Sequence, residues 1–153
     1  MKKILITGGN GLLGIALRML LSKNNFNVIA TGLGDDRLLN HKHIYNTLDI
    51  SKKQDCFDVL KLYNPDIIIN TAAITNVDYC ELNQHKCLEV NANSVSHLLQ
   101  FCKKGNKKFI HISTDFLFDG NSGPYDENSK LNPINYYGFS KMMAEKKIFN
   151  AEL

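Results

Sequence analysis

Tyr137 and Lys141 stand four residues apart in Tyr136-Tyr137-Gly138-Phe139-Ser140-Lys141, so on a helix they share one face, one turn apart. A phenol that titrates near pH ~10 is a poor acid or base at neutrality, but an adjacent ammonium stabilises the phenolate and brings that titration down. A tyrosine tuned in this way can give a proton to a carbonyl or take one from an alcohol. The apolar run Phe109–Ser113 ends in Ser113-Thr114-Asp115. There the Thr114 hydroxyl can hydrogen-bond a carbonyl oxygen as it gains charge. Its competing use is to tie down the backbone beside it.

A second chemistry sits at the N-terminus. The run Lys3–Thr7 is followed at once by Gly8-Gly9-Asn10-Gly11-Leu12-Leu13-Gly14 and then by a helical pattern. Gly8, Gly11 and Gly14 allow a sharp bend and a close backbone approach. The helix behind them offers unpaired N–H groups and the positive end of its dipole to a pyrophosphate. No Gly-Lys-Ser/Thr follows, so this is not a nucleoside-triphosphate loop of the Walker kind. A dinucleotide site usually carries a carboxylate at the end of its second strand to hold the ribose hydroxyl. Here that place reads Thr31-Gly32-Leu33-Gly34, with Asp35 and Asp36 slightly late and Arg37 after them. Without the carboxylate a 2′-phosphate is not repelled, and Arg37 can pair with it. This favours NADP over NAD, with NAD still possible, and an ordinary surface arginine remains the other reading of Arg37.

The elements that must hold these residues follow from the apolar pattern. Strands are predicted over Lys3–Thr7, Asn27–Thr31, His43–Asn46 (weakly), Asp66–Asn70 and Lys107–Ser113. Helices are predicted over Leu12–Ser22, from an N-cap at Ser51 to Tyr63, over Glu81–Lys103 and over Asn135–Phe149, with Asp119–Pro133 as loop. Strands such as Ile67-Ile68-Ile69 are apolar on both faces and need helices on both, which implies a parallel sheet. The βαβαβ order then predicts an α/β, doubly wound, NAD(P)-binding Rossmann fold with its ligand at the carboxyl ends of the strands. The 153 residues suit one domain, 1–153.

Composition narrows the class further. With 44% hydrophobic and 22% charged residues, the chain reads as a globular core-former rather than a disordered or fibrous one. A net charge of +3, scattered, does not make a nucleic-acid binder, and no apolar run is long enough to cross a membrane. Cytoplasmic placement is expected. Cys56, Cys80, Cys87 and Cys102 form no C-x-x-C pair and are expected to be reduced, buried apolar residues. His41, His43, His85, His97 and His111 are dispersed; His41 and His43 can meet on one strand face, but no third ligand lies near, so no metal is expected.

Taken together, Thr7-Gly8-x-x-Gly11-x-x-Gly14 and Tyr137-x-x-x-Lys141 resemble an extended short-chain dehydrogenase/reductase. Asn70-Thr71-Ala72-Ala73-Ile74-Thr75-Asn76-Val77-Asp78, Val90-Asn91, Ser113-Thr114-Asp115-Phe116-Leu117-Phe118-Asp119-Gly120 and Pro124-Tyr125-Asp126-Glu127 sharpen this to the dTDP-4-dehydrorhamnose reductase branch, over essentially the whole chain. The resemblance implies that Gly11, Leu12 and Leu13 line the pyrophosphate, that Asp49 and Ile50 border the adenine, and that Ala73, Ile74 and Thr75 lie along the cofactor. It implies Thr114 as the residue orienting a keto group and Asp115 as its neighbour at the substrate. Tyr137 is implied as proton donor, and Lys141 as the group that holds the nicotinamide ribose and tunes Tyr137. The implied reaction is hydride transfer from NAD(P)H to the 4-keto carbon of a dTDP-sugar, on the way to dTDP-L-rhamnose for surface polysaccharide. A homodimer is possible.

Two departures qualify the resemblance. Family members run to roughly twice this length, with a C-terminal substrate-binding lobe after the tyrosine helix. The sequence is therefore expected to be a fragment that binds cofactor with little turnover; normal reductase activity from this chain alone would refute that. The other departure is Gly32, a position where rhamnose reductases can carry an acidic residue, and it bears on cofactor choice. Two rival functions share the branch. One is a non-catalytic, NADP-binding regulatory subunit resembling that of methionine adenosyltransferase, which carries a similar Y-G-x-[ST]-K segment. The other is a nucleotide-sugar epimerase or dehydratase; a dehydratase would want a carboxylate pair, and Thr114 is followed by Asp115 alone.

Overall fold

The computed structural model describes residues 1–38 and 43–151. Five strands, β1 (Lys3–Thr7), β2 (Asn27–Gly32), β3 (Ile44–Thr47), β4 (Ile67–Asn70) and β5 (Lys108–His111), run parallel in the order β3-β2-β1-β4-β5. The helices are α1 (Leu12–Lys23), α2 (Lys53–Tyr63), α3 (Val77–Leu82), α4 (Gln84–Leu88), α5 (Ser94–Gly105) and α6 (Tyr136–Phe149). The chain winds outward from β1 through β2 to β3, then returns to place β4 on the other side of β1. That reversal between β1 and β4 opens a crevice at the carboxyl ends of the strands. The α/β, doubly wound expectation is met.

Alternation along the strands builds a core on each side of the sheet. Leu5, Ile29 and Ile68 lie in register and pack with Leu60 of α2 and Leu98 and Cys102 of α5. Their sequence neighbours Ile4, Ile6, Val28 and Ile69 pack on the other side with Leu17 and Leu21 of α1. A third cluster, Ala92, Val95, Leu99 and Ala144, fixes α6. Each large buried side chain contributes roughly 1.5–3 kcal/mol of apolar burial, so the loops at the strand ends ride on a rigid base.

Several boundaries differ from the sequence reading. β3 begins at Ile44 rather than His43, and His41 lies outside the described residues. β5 stops at His111, two residues before Ser113, and Asp119–Pro133 is loop as expected. Ser51 does not cap α2; its hydroxyl and N–H both donate to Asp49 Oδ1, and Lys52 takes the cap position. The long helix expected over Glu81–Lys103 is broken into α3, α4, a π turn over Glu89–Asn93, and α5. Cys80 and Cys87 are joined as a disulfide, which corrects the expectation of four reduced cysteines. The break at Asn83 between α3 and α4 brings the two sulfurs together with a Cα–Cα separation of 5.3 Å. Cys56 and Cys102 are free and buried, as expected.

Candidate functional site

The glycine turn closes tightly between β1 and α1. Gly8 has φ +68°, a left-handed conformation, and a Cβ there would sit 2.7 Å from the Ala72 nitrogen. Gly14 has no room for one either: a Cβ would press on the Gly8 carbonyl and lie 2.8 Å from Gly9 Cα. These two absences let the chain turn back on β4 and let α1 start directly behind the turn. Gly11 occupies the N-cap of α1 and no side chain caps the helix, so its dipole end stays open to an anion. Beside the turn is a cleft of about 640 Å³ lined by Gly8, Gly11, Arg37, Asp49, Ile50, Ala73 and Ile74 among others. Seven of the predicted cofactor residues therefore share one cavity. Leu12 and Leu13 stand exposed on the first turn of α1, Gly14 is buried behind them, and Thr75 is exposed beyond Ile74; none of these four lines it.

One rim of the cleft is the loop after β2, and Asn10 and Arg18 hold it. Asn10 Nδ2 donates to the carbonyls of Leu33 and Asp35 and to Tyr45 Oη, while its Oδ1 accepts from the Arg37 N–H. Arg18 is fully buried beneath, donating to the Gly9 carbonyl at 2.9 Å and to both Asp36 oxygens at 2.6 and 2.7 Å, with His43 also in contact. Burial opposes ionisation of Asp36, but the Arg18 bond, the Leu38 N–H and the charges of Arg18 and His43 prevail and hold its carboxyl below the usual range. Arg37 is exposed beside this half-buried pair and reaches the cleft. On the opposite wall Asp49 is likewise kept ionised: burial works against it, and the two hydrogen bonds from Ser51 outweigh burial.

At the carboxyl end of β5 stand the residues proposed for proton transfer. Lys141 is 2% exposed, donates to the Ile112 carbonyl at 2.5 Å and lies 2.9 Å from His111 Nε2. Burial pushes its amine down to about 8, against the opposing pull of Glu145. Burial and the Lys141 charge push His111 down to about 3. Tyr137 is buried among Cys80, Cys87 and Ile74, with the Phe116 ring edge-on at 5.8 Å. Ile74 also lines the cleft, so it joins the Tyr137 cluster to that cavity. The Thr114 hydroxyl donates to Asp115 Oδ1 at 3.3 Å and accepts from the Phe116 N–H at 3.2 Å, so it caps the short 3-10 turn over Asp115–Leu117. Asp115 is exposed next to it.

Sequence reasoning assigned no role to three contributors, although it quoted Asn91 and Asn10 within motifs. Asn91, inside the π turn, accepts from the Ile74 N–H at 2.7 Å and donates to the Ile74 carbonyl and to Ser140 Oγ at 2.9 Å. It thus ties the cleft wall to α6, and a π turn is a frequent way to aim a residue at a functional site. Asn10 and Arg18 have no local signal, because their partners lie far along the chain.

Comparison with known proteins agrees with this geometry. The RmlD substrate binding domain model matches residues 1–152. A dTDP-4-dehydrorhamnose reductase of Aggregatibacter actinomycetemcomitans is 35% identical over 148 residues, 95% of this chain and 46% of that protein. Methionine adenosyltransferase 2 subunit beta of Danio rerio is 31% identical over 147 residues, 96% of this chain and 43% of that protein. The solved dTDP-4-dehydrorhamnose reductase of Bacillus anthracis str. Ames, in complex with NADP, superposes with a TM-score of 0.84 at 31% identity, covering 99% of this chain and 50% of its own. The chain spans about half the length of the curated relatives it matches. With its glycine turn, its cleft at the β1/β4 reversal and a family match across nearly every residue, the chain belongs to the RmlD substrate binding domain family.

Proposed function

We propose that this chain binds NADPH in the cleft beside the glycine turn and supplies the proton-transfer residues of a reductase acting on the 4-keto group of a dTDP-sugar. The observation that carries the reading is the turn itself: Gly8 and Gly14 leave no space for a Cβ, and the uncapped start of α1 faces the same cavity as Arg37, Ala73 and Ile74. Gly8, Gly11 and the first turn of α1, including Leu12 and Leu13, would hold the pyrophosphate; Asp49 and Ile50 would border the adenine; Thr75 would follow Ala73 and Ile74 along the cofactor. The bound dinucleotide supplies the hydride. Tyr137 gives the proton to the developing alkoxide, Lys141 one turn along tunes Tyr137 and would hold the nicotinamide ribose, and Thr114 orients the keto oxygen with Asp115 at its side. The described residues act in this reading as one dinucleotide-binding domain, with a nucleotide sugar as substrate.

Titration of this chain with NADPH and with NADH, repeated on Arg37→Ala, tests the assignment. Wild type should prefer NADPH, and Arg37→Ala should weaken NADPH binding roughly tenfold while leaving NADH nearly untouched, the scale of one charge-assisted contact at an exposed site. An unchanged preference removes Arg37 from the site, and failure of the folded chain to bind either dinucleotide defeats the reading. A second reading, an NADP-binding subunit that modulates a partner without turnover, is favoured by the likeness to methionine adenosyltransferase 2 subunit beta. The two part at conversion of a dTDP-4-keto sugar, which only the first predicts.

A further inference from the structure

Thr7 of β1, Asn70 of β4, His111 of β5 and Lys141 of α6 stand in single file across the sheet. Thr7 Oγ1 donates to Asn70 Oδ1, Asn70 Nδ2 lies 3.0 Å from His111 Nδ1, and His111 Nε2 lies 2.9 Å from Lys141 Nζ. Thr7, Asn70 and Lys141 are all buried. A neutral imidazole has one N–H and one lone pair, so the two ends of this file are linked. With the Thr7 hydroxyl donating to Oδ1, the Asn70 amide turns its NH₂ toward Nδ1, which must then be the lone-pair nitrogen. Nε2 therefore carries the proton and aims it at Lys141, and only an unprotonated amine can accept it. An ammonium needs the reverse: a lone pair at Nε2, a proton at Nδ1, and the amide oxygen facing that proton. The two ends of an amide have nearly the same shape, so both arrangements fit one heavy-atom frame. In either, the Ile112 carbonyl takes one N–H of Lys141 and one N–H remains.

We propose that His111 is the positioning residue for the Lys141 amine, presenting an N–H when that amine is neutral and a lone pair when it is an ammonium, with the Asn70 amide turning over to match. On protonation the Nε2 proton passes to Nζ and the ring takes one from solvent at Nδ1, for a net gain of one proton. Lys141 keeps its place between His111 and Ile112 throughout, so it can cycle its proton without moving. Apart from Glu145, whose charge favours the ammonium, the surrounding charges are directed elsewhere. Glu145 acts from one turn along α6, Glu81 of α3 accepts from the Tyr136 N–H, Asp115 accepts from Thr114, Lys86 of α4 pairs with Glu89, and Lys103 of α5 donates to the Ala151 carbonyl. The bearing on catalysis rests on the role given to Lys141 above; the coupling itself does not.

Ring-nitrogen NMR of this chain, read beside lysine side-chain carbon shifts through the titration of Lys141, tests the coupling. His111 should stay neutral and pass from the Nδ1–H to the Nε2–H form as Lys141 loses its proton, with one shared midpoint. A single tautomer throughout, or an imidazolium in that range, overturns the proposal. Thr7→Val removes the hydroxyl that favours the neutral-amine arrangement and should move the shared midpoint upward by roughly one pH unit, the worth of one hydrogen bond; an unchanged or lower midpoint overturns the link through Asn70. Loss of NADPH binding with the coupling intact would count against the cofactor reading and leave this one standing.

Discussion

Gly14→Ala is expected to weaken NADPH binding about a hundredfold and to cost the fold about 2 kcal/mol, the scale of overpacking a tight site. The added methyl meets only backbone: the Gly8 carbonyl, and Gly9 Cα at 2.8 Å. No flexible side chain can give way, so the first turn of α1 must lift from the loop. That separates the helix dipole from the place where the pyrophosphate is to sit. Alanine favours a helix over glycine by ~1 kcal/mol, which offsets part of the cost in stability but none of the lost alignment. Gly11→Ala is the internal comparison, because its Cβ would meet just one atom, the Gly8 oxygen at 3.2 Å. It should weaken binding several times less. The chain has no tryptophan, so the fluorescence of NADPH reports binding directly, and a urea midpoint reports stability. A folded Gly14→Ala variant with unchanged affinity would show that the pyrophosphate does not lie on this turn.

What the sequence disclosed and what it concealed divides by distance along the chain. Runs such as Ile4-Leu5-Ile6 and Ile67-Ile68-Ile69 announce buried parallel strands, because no other element needs both faces apolar at that length. The glycine turn and the Tyr137/Lys141 pair are local patterns, and the structure brings Gly8, Gly11, Arg37, Asp49, Ile50, Ala73 and Ile74 to one cleft. The weak third strand slipped by one residue because edge strand β3 is half-buried at best and its alternation carries little contrast. The break in the long helix was hidden for a different reason. Residues 84–105 keep good helical spacing, and the π turn adds one residue to a turn without changing its composition. That turn aims Asn91 at Ile74 and Ser140. Arg18 was hidden most completely. The leucines at 13, 17, 20 and 21 suggest a helix face, yet Leu13 and Leu20 are exposed while the arginine between them is buried. Nothing within α1 announces that, because the carboxylate that makes it tolerable is Asp36, beyond β2.

Arg18→Met should destabilise the chain by about 1.5–3 kcal/mol at neutral pH, the scale of hydrogen bonds lost to a charged group, since the Asp36 carboxylate left behind is still 27% exposed. Methionine keeps most of the length and apolar surface, so the loss is specific to the guanidinium. The Gly9 carbonyl loses its donor, Asp36 loses its guanidinium partner while keeping the Leu38 N–H, and the Tyr45 ring loses the cation 5.3 Å from its centre. The pH dependence identifies the mechanism. Asp36 titrates below its ordinary 3.8 in the folded chain, so its pairing contributes fully above that value and is lost as the pH falls through the lower, folded one. The gap between wild type and Arg18→Met should therefore be widest near neutrality and narrow below about pH 4, the losses at Gly9 and Tyr45 remaining. A purely steric defect would leave the gap constant with pH. Asp36→Asn supplies the other corner of a double-mutant cycle, and the double variant should cost clearly less than the sum of the single ones. Because the same pair anchors Gly9 on one side and the Arg37 loop on the other, Arg18→Met should also lower NADPH affinity more than NADH affinity, although Arg37 itself is untouched. Equal losses for the two cofactors would show that the buried arginine supports only the glycine turn and leaves the 2′-phosphate end to Arg37 alone.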